Sequence, residues 1–204
     1  MVLSYKHENV IFQFKSEIEL ESKAVVIADG SNSPWPKVFD LGPKNLHFAS
    51  TTSVRLNGRG GLQEGCARFE FGLVQNGFAW AFPLKGNVSI GVGSFIGNNI
   101  CSTDEILERL LPSIGFEPDE GTRIKSSLRV WNGHSNLHAN GIVVVGDAAS
   151  LCDPFLAEGL RPSLMSGYEA AKSIENLIRG NSNSLSNYSE SMKEKWGESM
   201  AWGR

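Results

Sequence analysis

Two short runs rich in β-branched residues constrain this chain most: KAVVIA over 23–28 and GIVVVGD over 141–147. Neither alternates apolar with polar, so each reads as a strand buried on both faces, as in a parallel sheet. The first stops at Asp29-Gly30-Ser31-Asn32-Ser33-Pro34, the second at Gly146-Asp147 and a loop of small residues. Between them, residues 48–95 break into ASTTSVRL, ARFEFGLV, GFAWAFPL and NVSIGVGSF, separated by turn residues at hairpin spacing. These predict an antiparallel sheet of about four strands. Two buried strands and a long helix, interrupted by an antiparallel block, predict an α/β fold with a β-rich insertion.

The remaining elements follow from local signals. Residues 10–14 and 17–20 alternate as a hairpin. Ser102, with Glu105 three positions on, forms a capping box, and Ile106, Leu107, Leu110 and Leu111 supply one helical face. Pro112 and Gly115 close that helix. A longer helix is expected from Glu158, with Leu160, Leu164, Tyr168, Ala171, Ile174 and Ile178 as its apolar stripe. A last helix is expected from Ser186 through Tyr188, Met192 and Trp196.

Composition excludes several classes. Of 204 residues, 19 are Lys or Arg and 22 Asp or Glu, a net charge of −3, so a basic nucleic-acid binder is not expected. No apolar run approaches the roughly 18 residues of a spanning helix. The opening segment MVLSYKHENVIFQFKSEIEL is too charged for a signal peptide. Cys66, Cys101 and Cys152 stand far apart and are odd in number, which argues against a disulfide framework or zinc knuckle and fits a reducing cytoplasm.

The chemistry concentrates in IVVVGDAASLCDPFLAEGLRPSLMSGYEAA, residues 142–171. Ligands of open α/β sheets bind at the C-terminal strand edge, where Asp147 is delivered. Gly146 removes a side chain where a ligand must approach, and Ala148 and Ala149 keep the surface small. Glu158-Gly159-Leu160 opens a helix whose first N–H groups lack internal partners and favour a negative group. A carboxylate for hydroxyls beside amides for an anion suits a polyhydroxylated redox cofactor. A tight turn with an N-cap would use the same residue types.

Gly146-Asp147-Ala148-Ala149, then Pro154, then Glu158-Gly159-Leu160 with Ser166-Gly167 and Ala170-Ala171, resembles the second flavin-binding motif of FAD-dependent oxidoreductases related to p-hydroxybenzoate hydroxylase. Val25 to Ser33, a strand ending in Asp29-Gly30, resembles their other signature. Phe78-Ala79-Trp80-Ala81-Phe82-Pro83, followed after seven residues by Gly91-Val92-Gly93, resembles the cavity motif of the geranylgeranyl reductases, with Phe78 in place of the usual Tyr. Phe78, Trp80 and Phe82 alternate and so share one strand face. They form either a wall for an isoprenoid chain or flavin ring, or a set of core aromatics.

The resemblance implies a partial FAD-binding Rossmann-like domain over 1–45 and 136–185, an antiparallel β-sheet substrate domain over 46–135, and the start of a helical region over 186–204. It implies FAD as cofactor, NADPH or ferredoxin as electron donor, and reduction of C=C bonds in a geranylgeranyl or isoprenoid chain. Asp147 would meet the ribityl chain and Asp29-Gly30 the region near the pyrophosphate. The Glu158-Gly159-Leu160 amides would face the flavin pyrimidine edge, and Phe78, Trp80, Phe82, Pro83, Gly91 and Gly93 would line the substrate cavity. No catalytic proton donor is identifiable. The partner is a prenyl-chain lipid or pigment, and the location cytoplasmic, with peripheral membrane contact allowed. A flavin monooxygenase or halogenase of the same fold, or a non-catalytic fragment, are the alternatives.

The family opens on a strand, a Gly-x-Gly-x-x-Gly turn and a helix. The residues before Val25 contain no glycine. The chain is therefore expected to be an internal or C-terminal piece, to bind FAD weakly or not at all without an N-terminal segment, and to be marginally stable. It departs from the family at Ala157, where many members have Gly, and at Arg161-Pro162. His134 and His138 have the spacing of helical metal ligands but sit in loop-like sequence, and no metal is expected. Cys152 reads as a small buried filler rather than a redox thiol. Arg55, Arg59 and Arg68 read as surface charge, Arg161 as either a cofactor contact or solvent-facing, and Trp131, Trp196 and Trp202 as packing residues.

Overall fold

The computed structural model describes residues 2–6, 9–13, 18–94, 102–197 and 200. Cys101, Trp202 and the Phe14 end of the first expected strand lie outside them. The chain divides into two units, Met1–His47 with Arg129–Arg204, and Phe48–Leu128.

The first unit opens with an antiparallel sheet, β1 (Val2–Lys6), β2 (Asn9–Gln13) and β3 (Glu19–Ser22), in that order. The expected hairpin is β2 with β3, while β1 carried no clear alternation. Strand β4 (Val25–Ile27) and the short helix α1 (Trp35–Val38) follow.

The second unit contains most of a five-stranded antiparallel sheet: β5 (His47–Asn57), β6 (Arg68–Phe71), β7 (Gly77–Leu84), β8 (Asn87–Ser94) and β9 (Ile124–Val130), in the order β6-β7-β8-β5-β9. Four of these are the expected strands, and β9 adds a fifth beside β5. Helix α2 (Thr103–Leu110) starts where the capping box placed it, the Ser102 hydroxyl accepting from the Asp104 N–H at 3.3 Å. A 3-10 turn over Leu111–Ile114 extends it and ends at Gly115 in the left-handed region. Val54 and Leu56 of β5, Ala79 and Ala81 of β7, and Val88, Ile90 and Val92 of β8 pack under Ile106, Leu107, Leu110, Leu111 and Ile114. Each fully buried Val, Ile or Leu there contributes about 1.5–3 kcal/mol. One sheet face is thereby closed.

The chain then returns to the first unit through β10 (His138–Ala139) and β11 (Ile142–Val144). Strand β11 lies parallel to β4, with Ile142, Val143 and Val144 opposite Val25, Val26 and Ile27. The two apolar runs are thus neighbours in one sheet, ordered β10-β11-β4. A 3-10 turn over Gly146–Ala149 leads on to helices α3 (Leu160–Ile178) and α4 (Ser184–Met192), and a π-helical turn spans Lys193–Gly197. Helix α4 begins two residues before the expected Ser186, with Asn183 as its N-cap.

Helix α3 corrects the sequence reading. It starts at Leu160 rather than Glu158, and Leu160, Leu164, Tyr168 and Ile178 of the expected apolar stripe are exposed. The buried residues are Pro162, Ser166, Ala170 and Ser173. The cause is the close approach of the Gly146 turn. The Gly146 N–H donates to the Ser166 hydroxyl at 2.9 Å, and a Cβ on Gly146 would stand 2.8 Å from the Ser163 hydroxyl. Large side chains would not fit between these elements, so α3 turns its small residues inward. Among the described residues, no helix is long and apolar enough to cross a membrane.

Candidate functional site

The parallel pairing of β4 and β11 brings their C-terminal ends side by side, and the Val145 N–H continues the ladder to the Ile27 carbonyl at 3.0 Å. Asp29-Gly30 and Gly146-Asp147 therefore leave the sheet at the same edge. Gly146 has φ +58, a conformation glycine adopts without steric cost. It starts the turn that lifts Asp147 toward α3. A Cβ added at Gly159, the N-cap of that helix, would lie 3.0 Å from Asp147 Oδ1. The carboxylate and the helix start thus lie side by side.

This edge is rich in buried oxygen with unused hydrogen-bonding capacity. Asp147 Oδ1, Ser33 Oγ and Ser150 Oγ are all buried without a hydrogen-bond partner. Such groups cost about 1–3 kcal/mol each unless a partner arrives. Burial raises the Asp147 carboxyl above its ordinary pKa, and the Arg129 guanidinium works against that shift.

Arg129 is the residue sequence reasoning missed. It is 4% exposed and joins the two motif loops, donating from Nη2 to the Ser33 carbonyl at 2.9 Å and from Nη1 to the Ala148 carbonyl at 3.2 Å. Burial lowers its pKa, while Asp29 and Asp147 act to hold its charge. The only sequence signal was a lone cation between apolar neighbours in Leu128-Arg129-Val130-Trp131.

The helix start carries its own anion. Glu158 Oε1 accepts from the Arg161 N–H at 2.7 Å, and Pro162 has no N–H to offer. The first-turn amides are therefore fewer than expected for an external negative group. Pro154 is buried in the preceding loop, where the Asp153 carboxylate accepts from the Phe155 and Leu156 N–H groups at 2.8 and 2.6 Å. Ala157, in a position where many members of the resembled family have Gly, sits at φ +52. Arg161 is exposed and lies 4.8 Å from the Trp196 ring centroid. Cys152 is buried, and its thiol is pushed up to about 12, first by burial and then by Asp147, Asp153 and Glu158. That makes it inert packing at neutral pH. His138 accepts from or donates to the Ser189 hydroxyl at 2.8 Å, and His134 stacks edge-on with Trp131.

The aromatic motif lies in the second unit, on the sheet face opposite its core. Phe78, Trp80 and Phe82 share that face, and Phe69 and Phe71 of β6 join them by register, Phe69 opposite Trp80 and Phe71 opposite Phe78. Ring centroids stand 5.1–6.1 Å apart across the set. Gly93 and Gly91 of β8 stand opposite Phe78 and Trp80. A Cβ on Gly91 would fall within the Trp80 indole, so that glycine is the floor on which the ring lies. Pro83 is placed differently from expectation. The two-residue period puts it with Ala79 and Ala81, opposite the buried Val88, on the core face.

A cleft of about 1050 Å³, lined by Lys23, His138, Gly141, Leu177 and Asn183 among others, lies at the opposite end of the parallel pair, where β11 begins. The strand-edge rule places ligands at the other end.

Comparison with known proteins bears on the fold. No protein-family model matches the chain. A digeranylgeranylglycerophospholipid reductase of Methanosarcina acetivorans is 25% identical over 202 residues, covering 89% of this chain and 46% of the relative. The chain is similar in sequence to reductases of this name, at 24–28% identity. A geranylgeranyl bacteriochlorophyll reductase-like protein of Thermoplasma acidophilum superposes with a TM-score of 0.82 at 22% identity, over 98% of this chain and 54% of that one. The α/β fold is thus that of the FAD-dependent oxidoreductases. The flavin-dependent halogenase ascD of Acremonium egyptiacum is 31% identical over 124 residues, covering 52% of this chain and 22% of the halogenase. The chain spans about half the length of the reductases it matches.

Proposed function

We propose that this chain carries the riboflavin side and the substrate wall of an FAD-dependent oxidoreductase that reduces C=C bonds of a geranylgeranyl or other isoprenoid chain. The observation that carries the reading is the set of five rings, Phe69, Phe71, Phe78, Trp80 and Phe82, on one sheet face with Trp80 laid over Gly91, in a chain similar to digeranylgeranylglycerophospholipid reductases. Rings without intervening charge on a strand pair suit a long alkene better than a polar aromatic compound.

The residues at the strand edge fit a flavin. Asp147 Oδ1, buried without a partner, would accept from a ribityl hydroxyl, and Asp29-Gly30 would lie toward the pyrophosphate. Arg129 holds the two loops at fixed separation and opposes protonation of Asp147. Glu158 would have to release the Arg161 amide before the helix start could face the pyrimidine edge. A reduced flavin held at this edge would supply the hydride-transfer chemistry, and the chain's own residues would hold and orient it. NADPH or ferredoxin would be the reductant, and the lipid substrate would bring the protein to a membrane surface.

The test is anaerobic incubation of the protein, co-expressed with a segment that supplies the Gly-x-Gly-x-x-Gly turn, with FAD, dithionite and a geranylgeranyl lipid, followed by mass spectrometry. Hydrogenated product supports the reading. Halogenation or hydroxylation that requires oxygen supports the second reading, a halogenase or monooxygenase, which the relative in Acremonium egyptiacum favours. Absence of bound flavin and of any product would leave a non-catalytic fragment.

A further inference from the structure

The dipeptide Asn-Gly occurs four times, at 57–58, 76–77, 132–133 and 140–141. It is a chemically labile step. Glycine has no Cβ to shield its amide nitrogen, which can attack the side-chain carbonyl carbon of the preceding asparagine. The attack needs a glycine N–H that is not already donating and an asparagine side chain that can swing onto it. The fold treats the four pairs differently. At 57–58 the Gly58 N–H donates to the Gly86 carbonyl at 3.0 Å. At 132–133 the asparagine is pinned: Asn132 Nδ2 donates to the Asn45 carbonyl, and its Oδ1 is buried. At 76–77, Gly77 opens β7 opposite Ser94, packed so closely that a Cβ there would stand 2.0 Å from the Gly93 carbonyl oxygen. Asn140 differs on both counts. Its side chain is exposed and makes no hydrogen bond among the described residues, and the Gly141 N–H has no acceptor among them.

The pair at 140–141 supplies the two central residues of the β10–β11 hairpin, in which Ala139 stands opposite Ile142. Asn140 has φ +33 and Gly141 φ +80. Positive φ at both central positions marks a type I′ turn, which selects Asn followed by Gly. Packing fixes the glycine as well. A Cβ on Gly141 would meet the Lys23 carbonyl oxygen at 3.0 Å, and the Gly141 carbonyl accepts from the Val25 N–H at 2.8 Å. The fold therefore requires the labile pair at this place, yet leaves its reacting atoms unengaged.

We propose that Asn140-Gly141 is a site of spontaneous covalent modification, the first of the four pairs to deamidate in the folded chain. The Gly141 nitrogen forms a bond to Asn140 Cγ and the Cγ–Nδ2 bond breaks. Ammonia leaves with the proton from the Gly141 N–H, and a succinimide remains. Water then opens the ring at either carbonyl, giving aspartate or isoaspartate, and nothing is oxidised or reduced. Either product puts a new carboxylate on the cleft that Asn140 and Lys23 line. Isoaspartate also inserts a backbone carbon between Ala139 and Ile142. Strand β10 has only two paired residues, His138 and Ala139, and His138 Nδ1 lies 2.8 Å from the Ser189 hydroxyl of α4. The inserted atom unpairs β10 and breaks that link. The modification is independent of the flavin reading.

The full chain is incubated in mildly alkaline buffer, and mass spectrometry follows the conversion of amide to acid in the peptides that carry the four pairs. Asn140 is expected to convert at least about fivefold faster than each of the other three, the factor implied by one hydrogen bond given up before reaction. In concentrated urea that lead is expected to vanish. Hydrogen exchange at 137–143 is expected to quicken in chains that carry isoaspartate but not in the variant Asn140→Asp, which adds the charge without lengthening the backbone. A lead for any other pair, a lead for Asn140 that persists in urea, or no conversion at any of the four would overturn the proposal. Isoaspartate at 140 with unchanged exchange would overturn the unpairing of β10 and leave the modification site standing.

Discussion

Replacing Arg129 by Met tests whether the strand-edge site is held together electrostatically. The guanidinium makes two hydrogen bonds to buried loop carbonyls, those of Ser33 and Ala148. Hydrogen bonds from a charged donor contribute about 1.5–3 kcal/mol each. Met fills similar volume but leaves both carbonyls without this donor and Asp147 without its counter-charge. Breaking a buried charged cluster from one side costs about 3–5 kcal/mol. These two figures describe the same interactions, so the expected loss is about 3–5 kcal/mol, a large share of the roughly 5–15 kcal/mol of a typical domain. Arg129→Lys keeps the charge but loses the fork that spans two carbonyls, and should lose about 1–2 kcal/mol. The pH dependence sharpens the test. A native Asp147 whose pKa is raised above its ordinary 3.8 binds its proton more tightly than in the unfolded chain. Folding stability therefore falls as pH rises from the unfolded value through the raised native one. Removing Arg129 raises the native value further, so the Met variant should regain more stability than the parent as pH falls toward the ordinary carboxylate value. Urea unfolding followed by fluorescence, with hydrogen exchange read at 28–33 and 146–151, measures both effects. A loss below about 1 kcal/mol in the Met variant, or equal stability of the Met and Lys variants, would refute the clamp.

Other residues give independent checks. The Tyr188 hydroxyl donates to the Val144 carbonyl at 2.7 Å in the core, so Tyr188→Phe should cost about 1–3 kcal/mol in urea unfolding while leaving the aromatic sheet face unaffected. Cys66 is exposed, whereas Cys152 is buried with its thiol pushed up to about 12. Iodoacetamide at neutral pH, read by peptide mass spectrometry, should alkylate Cys66 and reach Cys152 only after denaturation. Ala157 pays for a left-handed backbone at φ +52, so Ala157→Gly should stabilise the loop, by about 0.5 kcal/mol net once the added freedom of unfolded glycine is subtracted, measurable as a higher urea midpoint.

What the sequence disclosed and what it hid divide along a physical line. The paired strands at 25–27 and 142–144 were legible as unbroken β-branched runs, but burial on both faces holds only for 142–144, since Val26 is exposed. The meeting of Asp147 with the helix start at Gly159 was legible because a glycine, a carboxylate and a second glycine at that spacing form a local device. Arg129 was not, since its partners lie 19 and 96 residues away and nothing in its own neighbourhood refers to them. Helix α3 was misread because periodicity in large apolar residues was taken to mark its buried face. The neighbouring turn approaches too closely for anything but Ser163, Ser166 and Ala170.

The same limit applies to β6, with more consequence. Alternation in Arg68-Phe69-Glu70-Phe71 specifies that two faces exist but not which is inside. Hydropathy alone would put the phenylalanines under α2, with Val54, Ala79 and Ile90. They are not there because Arg68 faces inward to donate to the Ser113 carbonyl at the rim of that core. In both α3 and β6 the large apolar residues face outward, and in both the inward positions are chosen by geometry or hydrogen bonding rather than by hydrophobicity. On α3 this leaves an apolar helix face exposed. On β6 it places two rings beside Phe78, Trp80 and Phe82. With Arg68 held inward by the Ser113 carbonyl, strict alternation turns Phe69 and Phe71 outward.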